Sequence, residues 1–199
     1  MSLSLLGGIA KGHTLIVPKG DTVRPTSVML RRKVFDANQD LTGTVFIDLC
    51  AGTGAVALEA WSRGALQCIL VEADPKTFKV LIQNIKNLEN RFLEELEDRE
   101  IHSKCLKALN WINQFQFQYE QWDSQKQADT ILFFDPPYEK KDLYQDIVSF
   151  SLREWFKGRI WIESDRQKGL ASDFWQSWGE QYTKTYIQGT SYIAVLDLR

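Results

Sequence analysis

Twelve residues constrain this chain more than any other stretch: Phe46-Ile47-Asp48-Leu49-Cys50-Ala51-Gly52-Thr53-Gly54-Ala55-Val56-Ala57. An apolar run enters a glycine turn and leaves it as a helix-forming segment. Such a unit belongs to a parallel sheet, because parallel neighbours need a crossover helix to bring the chain back. The rest of the chain repeats the alternation. Apolar runs at Thr44–Cys50, Gln67–Val71 and Thr130–Phe134 predict strands, with a short strand near Glu100–His102 and another at Arg159–Glu163. Between them, helices close at Gly64, run from Pro75 to about Asn90, cross Leu106–Tyr119 and extend from about Lys141 to Phe156. Pro75 suits a first helical turn, where its missing N–H would be unpaired anyway. Gln181–Ile187 and Ser191–Leu198, joined by Gln188-Gly189-Thr190, read as an antiparallel hairpin. Ahead of the sheet, Leu5–Ala10 and His13–Val17 predict a small hairpin around Lys11-Gly12, and Thr26 or Ser27 caps a helix to about Asn38.

Length and composition narrow the class further. A chain of 199 residues with 44% apolar content has room for one domain with a sizeable core. No apolar run approaches the roughly 20 residues of a membrane-spanning helix, and no basic segment precedes Leu3–Ala10 as in a secretory signal. Three dispersed cysteines, Cys50, Cys68 and Cys105, suit a reducing cytoplasm rather than a disulfide scaffold. His13 and His102 have no ligand partner nearby in sequence, so no metal site is expected. The spacing of Trp111, Phe115 and Tyr119 marks the apolar face of a helix.

Charge is uneven. Residues 1–35 carry Lys11, Lys19, Arg24, Arg31, Arg32 and Lys33 against Asp21 alone, a net +5, so the remainder carries −7 to reach the formal −2. A basic arm on an acidic body can hold a polyanion locally; adjacent Arg31, Arg32 and Lys33 equally fit a solvated helix face.

The glycine turn brings backbone N–H groups together at a helix N-terminus. Gly52, Gly54 and Ala57 satisfy the G-x-G-x-x-A pattern, and Glu72, 20 residues after Gly52, stands where a ribose-binding acid is expected. Asp48, at the strand end, would repel a pyrophosphate but suits a ligand with a positive amino group, such as S-adenosylmethionine. The alternative is that Asp48 only caps a turn whose glycines allow tight packing. Further on, Phe133-Phe134-Asp135-Pro136-Pro137-Tyr138 ends a strand with two prolines that remove donors and leave acceptors. Asp135 and the Pro136 carbonyl could hold the hydrogens of an exocyclic base amine, localising its lone pair toward an incoming methyl group, with Tyr138 stacking on the extruded base. A rigid strand-end turn is the plainer account of Asp-Pro-Pro.

Taken together, these segments resemble the class I methyltransferases that methylate the N2 amine of a guanine in bacterial 16S ribosomal RNA. The resemblance runs through Gly7-Gly8-Ile9-Ala10, Lys11-Gly12, Leu15-Ile16-Val17-Pro18 and Arg24-Pro25-Thr26. It continues through Asp48–Ala55, Leu58-Glu59-Ala60, Ser62-Arg63-Gly64-Ala65 and Glu72 to Asp135-Pro136-Pro137-Tyr138, Ile162-Glu163-Ser164 and the closing hairpin. It implies a Rossmann-like α/β fold: a seven-stranded, mostly parallel sheet with an antiparallel closing hairpin and a small N-terminal hairpin and helix. Residues 1–40 would form an RNA-facing appendage and residues 41–199 the S-adenosylmethionine-dependent domain. The implied site comprises catalytic Asp135, Pro136, Pro137 and Tyr138, with Asp48, Cys50, Ala51, Gly52, Gly54, Glu72, Ala73 and Cys105 around the cofactor. Lys11, Arg24, Thr26, Arg31 and Arg32 would contact 16S rRNA in the small ribosomal subunit or its assembly intermediate, with no membrane and no metal involved. The chain departs from the family at Val28-Met29 and Arg31-Arg32, where an Asp-Arg pair and Arg-Glu are usual, and at Ser103-Lys104-Cys105, where an acid often meets the adenine amine. The rivals are an amino-methyltransferase acting on adenine or cytosine in DNA, a nicotinamide-dependent reductase and a non-catalytic RNA-binding module.

Overall fold

A computed structural model describes residues 3–18, 28–94 and 98–199. In chain order the elements are β1 (Leu3–Ser4), β2 (Thr14–Leu15), α1 (Val28–Asp36), β3 (Val45–Asp48), α2 (Ala55–Ser62), β4 (Gln67–Glu72), α3 (Pro75–Arg91), β5 (Glu100–Cys105), α4 (Ala108–Tyr119), α5 (Ser124–Ala128) and β6 (Thr130–Phe134). Then come α6 (Lys141–Tyr144), continuing through a π-helical stretch (Gln145–Leu152) into α7 (Arg153–Trp155), β7 (Arg159–Asp165), a 3-10 stretch (Ser172–Gln181), β8 (Tyr182–Gln188) and β9 (Ser191–Asp197).

Among the described residues, seven strands form one sheet in the order β5-β4-β3-β6-β7-β9-β8. β3 to β7 run parallel, and β9 is antiparallel to both β7 and β8. Every residue of β3 and β6 is buried. These strands are continuous apolar runs because helices cover both faces of the sheet. Phe46, Cys68, Leu70, Ile131, Phe133 and Trp161 pack on one face; Ile47, Ile69, Val71, Leu132, Phe134 and Ile162 pack on the other. From β3 the chain proceeds to β4 and β5 on one side, then returns to β6 and β7 on the other. That reversal opens a crevice at the C-terminal ends of β3 and β6, where open α/β sheets bind ligands.

Local signals explain the flanking helices. Asp74 caps α3 by accepting the Thr77 N–H at 2.8 Å, Pro75 starts it, and Leu81, Asn84, Ile85 and Leu88 form its buried stripe. Trp111, Ile112, Phe115 and Tyr119 are the buried face of α4, as their spacing predicts. Phe35 of α1 meets Phe46 and Trp161 at ring distances of 6.3 and 5.8 Å, so α1 shares the core of the sheet. Among the described residues no helix is long and apolar enough to cross a membrane.

The N-terminal hairpin departs from its expected register. Leu3 pairs with Leu15 and Ser4 with Thr14, so the first strand precedes Leu5–Ala10 rather than occupying it. Residues 5–13 form a loop closed by Leu5 N–H to His13 O (3.0 Å) and Gly12 N–H to Leu5 O (2.9 Å). This loop takes its partners from α2 instead of a strand. The Leu6 N–H donates to Glu59 (2.6 Å), Ala10 N–H to Ser62 Oγ (2.9 Å), Ile9 N–H to Ser62 O (2.9 Å), and Ser62 Oγ donates to Gly7 O (2.6 Å). Gly8, at φ 71°, lies so close that an added Cβ would fall on the Ser62 carbonyl. The 3-10 stretch, for which the sequence reading named no element, buries Trp175 and Trp178, three residues apart on one face.

Candidate functional site

Asp48 ends β3 at the crevice and is 1% exposed. Its Oδ1 accepts the Cys50 N–H at 3.3 Å. Burial drives the carboxyl up to about 8; the Cys50 N–H opposes the rise, and the Asp135 and Glu72 carboxylates add to it. An Asp in that state holds a proton at neutral pH until a cation arrives to replace it.

The turn that follows is built by backbone geometry. Ala51 N–H donates to Val71 O (2.9 Å) and Gly54 N–H to Ala51 O (2.7 Å). Gly54 sits at φ 87°, and a Cβ there would stand 2.7 Å from Leu81 Cδ1. Only glycine gives this bend and this close packing. The Gly52 N–H donates to Glu72 Oε2 at 2.9 Å, and the Asp74 N–H to Glu72 Oε1 at 2.8 Å. The turn thus orients Glu72 on the neighbouring strand end. Ala73 and Cys105 are exposed beside it, with Cys105 opposite Glu72 in the β4–β5 register. Cys50 is partly exposed; burial pushes its thiol up, as do Asp135, Asp48 and Glu72.

Asp135 follows β6 on the other side of the crevice. Asp48 pairs with Phe133 in the strand register, so Asp135 stands two residues beyond Asp48 on the adjacent strand. Pro136 is buried and Pro137 exposed, and the Lys140 N–H closes the loop on Pro137 O at 2.9 Å. Tyr138 is 3% exposed, and its hydroxyl donates to Glu163 Oε1 at 3.2 Å. Its ring is a packed wall beside Asp135 in this arrangement, not the open stacking face the sequence suggested. Glu163 sits next to this loop on β7, and its backbone oxygen accepts the Tyr144 hydroxyl at 3.0 Å. The fold therefore sets Asp48, Glu72 and Asp135 at the ends of three adjacent strands, a negative pocket that fits the ammonium and hydroxyl groups of an amino-acid-bearing nucleoside and disfavours a pyrophosphate.

The cations expected to meet RNA divide. Lys11 and Arg32 are exposed. Arg24 and Thr26 lie outside the described residues. Arg31 is a correction: it is 1% exposed, donating Nη2–H to Ser4 O (2.7 Å) and Nη1–H to Ala55 O (3.4 Å). It faces inward because α1 packs on the sheet through Leu30, Val34 and Phe35, and the adjacent position turns with them. Arg31 joins the N-terminal segment to the first turn of α2 and is not an RNA contact. His13 is buried edge-on to Phe92 at 5.8 Å, and burial and Arg91 lower its pKa; His102 is exposed beside Glu100.

Two connecting groups received no role from the sequence, although Glu59 falls in one of the segments that carry the resemblance. Asn84, fully buried, accepts the Ile16 N–H (2.7 Å) and donates to Ile16 O (3.0 Å) and Thr53 O (2.9 Å), tying the N-terminal strand to the glycine turn. An amide within the apolar stripe of α3 is its only sequence signal. Glu59 is equally buried, pairing with Arg63 Nε at 2.7 Å.

Comparison with known proteins agrees with this architecture. Residues 3–194 match the family model described as "Conserved hypothetical protein 95". The chain is 27% identical over 172 residues to Ribosomal RNA small subunit methyltransferase D of Escherichia coli K12, covering 84% of this chain and 77% of that protein. A hypothetical protein of Thermus thermophilus superposes with a TM-score of 0.71 at 23% identity over 98% of each chain. An RNA methyltransferase of Salinibacter ruber, solved with S-adenosyl-L-homocysteine, superposes with a TM-score of 0.52 at 15% identity over 88% of this chain and 94% of that one. These two likenesses show the fold alone, a Rossmann-like α/β fold. A match that runs from the N-terminal loop on α2 through the sheet as far as Ala194 in β9 makes this chain a member of the conserved hypothetical protein 95 family.

Proposed function

We propose that this chain transfers a methyl group from S-adenosylmethionine to the N2 amine of a guanine in 16S rRNA of the small ribosomal subunit. The observation that carries the reading is the buried Asp48 at the strand-order reversal, flanked by Glu72 and Asp135. The E. coli relative named as a small-subunit rRNA methyltransferase supports the substrate class.

S-adenosylmethionine, when bound, supplies a methyl group already activated on a sulfonium. Asp48 yields its proton and meets the ammonium, an ion pair that offsets the cost of a buried carboxylate. Glu72, held by the Gly52 N–H, accepts the ribose hydroxyls, while Cys50, Ala51, Gly54, Ala73 and Cys105 line that end of the pocket. Asp135 accepts hydrogens from guanine N1–H and the N2 amine, and the Pro136 carbonyl takes the other amine hydrogen. Pro136 and Pro137 offer no competing N–H, so the loop presents acceptors alone. Tyr138, anchored on Glu163, forms the packed wall that backs the Asp135 loop and shapes the base pocket. Positioning provides most of the acceleration. Residues 1–40 face the RNA, with Lys11, Arg24, Thr26 and Arg32 as contacts.

The test is methylation with labelled S-adenosylmethionine of small subunits from an unmodified strain, followed by mass spectrometry of nucleosides. N2-methylguanine is expected. N6-methyladenine as the sole product refutes the guanine assignment, because adenine leaves an Asp135 acceptor unmatched at a cost of about 1–3 kcal/mol.

A further inference from the structure

Beyond the crevice, the fold gathers cations that lie far apart in sequence around the tip of the β8–β9 hairpin. Lys33 of α1 donates from Nζ to Ile187 O at 2.7 Å, and Arg166 donates from Nη2 to Gly189 O at 2.7 Å. The first carbonyl lies near the end of β8 and the second in the turn that follows it. The Arg166 N–H also donates to Thr190 O at 2.9 Å. Lys168 is exposed in the same loop. Among the described residues none of Lys33, Arg166 and Lys168 forms an ion pair.

A buried carboxylate holds this loop in place. Asp165, 5% exposed, accepts at Oδ1 from the Gln167 and Lys168 N–H groups (2.9 and 3.0 Å). Its Oδ2 accepts from the Thr190 and Ser191 hydroxyls (2.6 and 3.3 Å). Burial would raise its pKa, but these bonds outweigh it and hold the carboxyl below the usual range. The acid therefore spends its acceptors inward on the turn and leaves Arg166 and Lys168 facing solvent. The tip also stands on the catalytic side of the sheet: Asp165 lies two residues past Glu163, the partner of Tyr138, and pairs with Ser191 in the β7–β9 register.

We infer that the hairpin tip, with Lys33, Arg166 and Lys168 around it, is a phosphate-contact surface for the RNA strand flanking the target nucleotide. This rests on the rRNA reading above and extends the basic N-terminal segment, to which Lys33 belongs, onto the hairpin tip and the Arg166–Lys168 loop. Exposed cations with no acidic partner among the described residues, two of them held by carbonyls, on a body otherwise net negative, are the elements that backbone contacts to RNA require.

The variant K33Q/R166Q/K168Q removes three charges and leaves a neutral polar side chain at each position. Binding of transcribed 16S rRNA is measured against salt concentration, beside S-adenosylmethionine affinity, thermal unfolding and methylation of small subunits. The expected result is RNA affinity weaker by at least about tenfold and a log–log salt slope shallower by about 2, with cofactor affinity and unfolding unchanged. An unchanged RNA affinity and slope overturns the inference. If the wild-type chain binds RNA through these cations yet methylates no rRNA, the tip stands and the catalytic reading fails. If it methylates rRNA and the variant does so with the same KM, the tip fails and the catalytic reading stands. A wild-type chain that neither binds transcribed 16S rRNA nor methylates small subunits overturns both.

Discussion

Replacing Asp48 with asparagine keeps the side-chain shape and the acceptor for the Cys50 N–H while removing the ionisation. In the unfolded chain this carboxyl ionises near 3.8, and in the folded chain at about 8. The folded state binds the proton more tightly, so Asp48 favours folding fully below about pH 4, and that contribution is lost as pH rises through about 8. The gap between the two values corresponds to roughly 5–6 kcal/mol. Asparagine carries no such dependence. The stability gained by D48N should therefore grow by about 1.4 kcal/mol per pH unit from about pH 5 to pH 7.5, then level off above about pH 8.5. Urea unfolding of both proteins across that range measures it. A difference that stays constant with pH, or a variant less stable throughout, refutes the buried-carboxylate reasoning. The same substitution should abolish tight S-adenosylmethionine binding, since a neutral amide cannot pair with the ammonium. In the wild type, cofactor binding near pH 7 should release a proton, read by calorimetry in buffers of different ionisation enthalpy.

Four further outcomes follow from named positions. Asp135→Ala should lower turnover by at least about a hundredfold while cofactor affinity, read by calorimetry, changes little, because its acceptors serve the reacting amine. Glu59→Ala leaves Arg63 unpaired and the Leu6 N–H unbonded in a buried setting, and urea unfolding should show a loss of about 3–5 kcal/mol. Gly8→Ala, at φ 71° against the Ser62 carbonyl, should cost about 2–4 kcal/mol in the same assay. Gly12→Ala, at φ 83° with open space around it, should cost only about 1 kcal/mol.

Much of the fold is legible in the sequence because it rests on local constraints. Runs such as Thr130–Phe134 alternate with helical periods such as Trp111-Phe115-Tyr119, and each commits its backbone to one geometry whatever lies around it. Gly52-Thr53-Gly54 and Asp135-Pro136-Pro137 place the crevice for the same reason: glycine permits and proline imposes particular dihedral angles within the chain itself. Which side chains face that crevice was a different matter. Arg31 and Arg32 are adjacent and chemically equivalent, yet one is fully enclosed beneath Ser4 and Ala55 and the other is in water. Gly7-Gly8 and Ser62-Arg63 stand out in the sequence as separate segments; only the tertiary structure makes them two halves of one contact. Tyr138 meets Glu163, and Asp165 meets Thr190, across 25 residues each. Burial and hydrogen-bond partnership depend on what packs against a residue from distant parts of the chain, and for charged groups the energy of that surrounding exceeds any local preference.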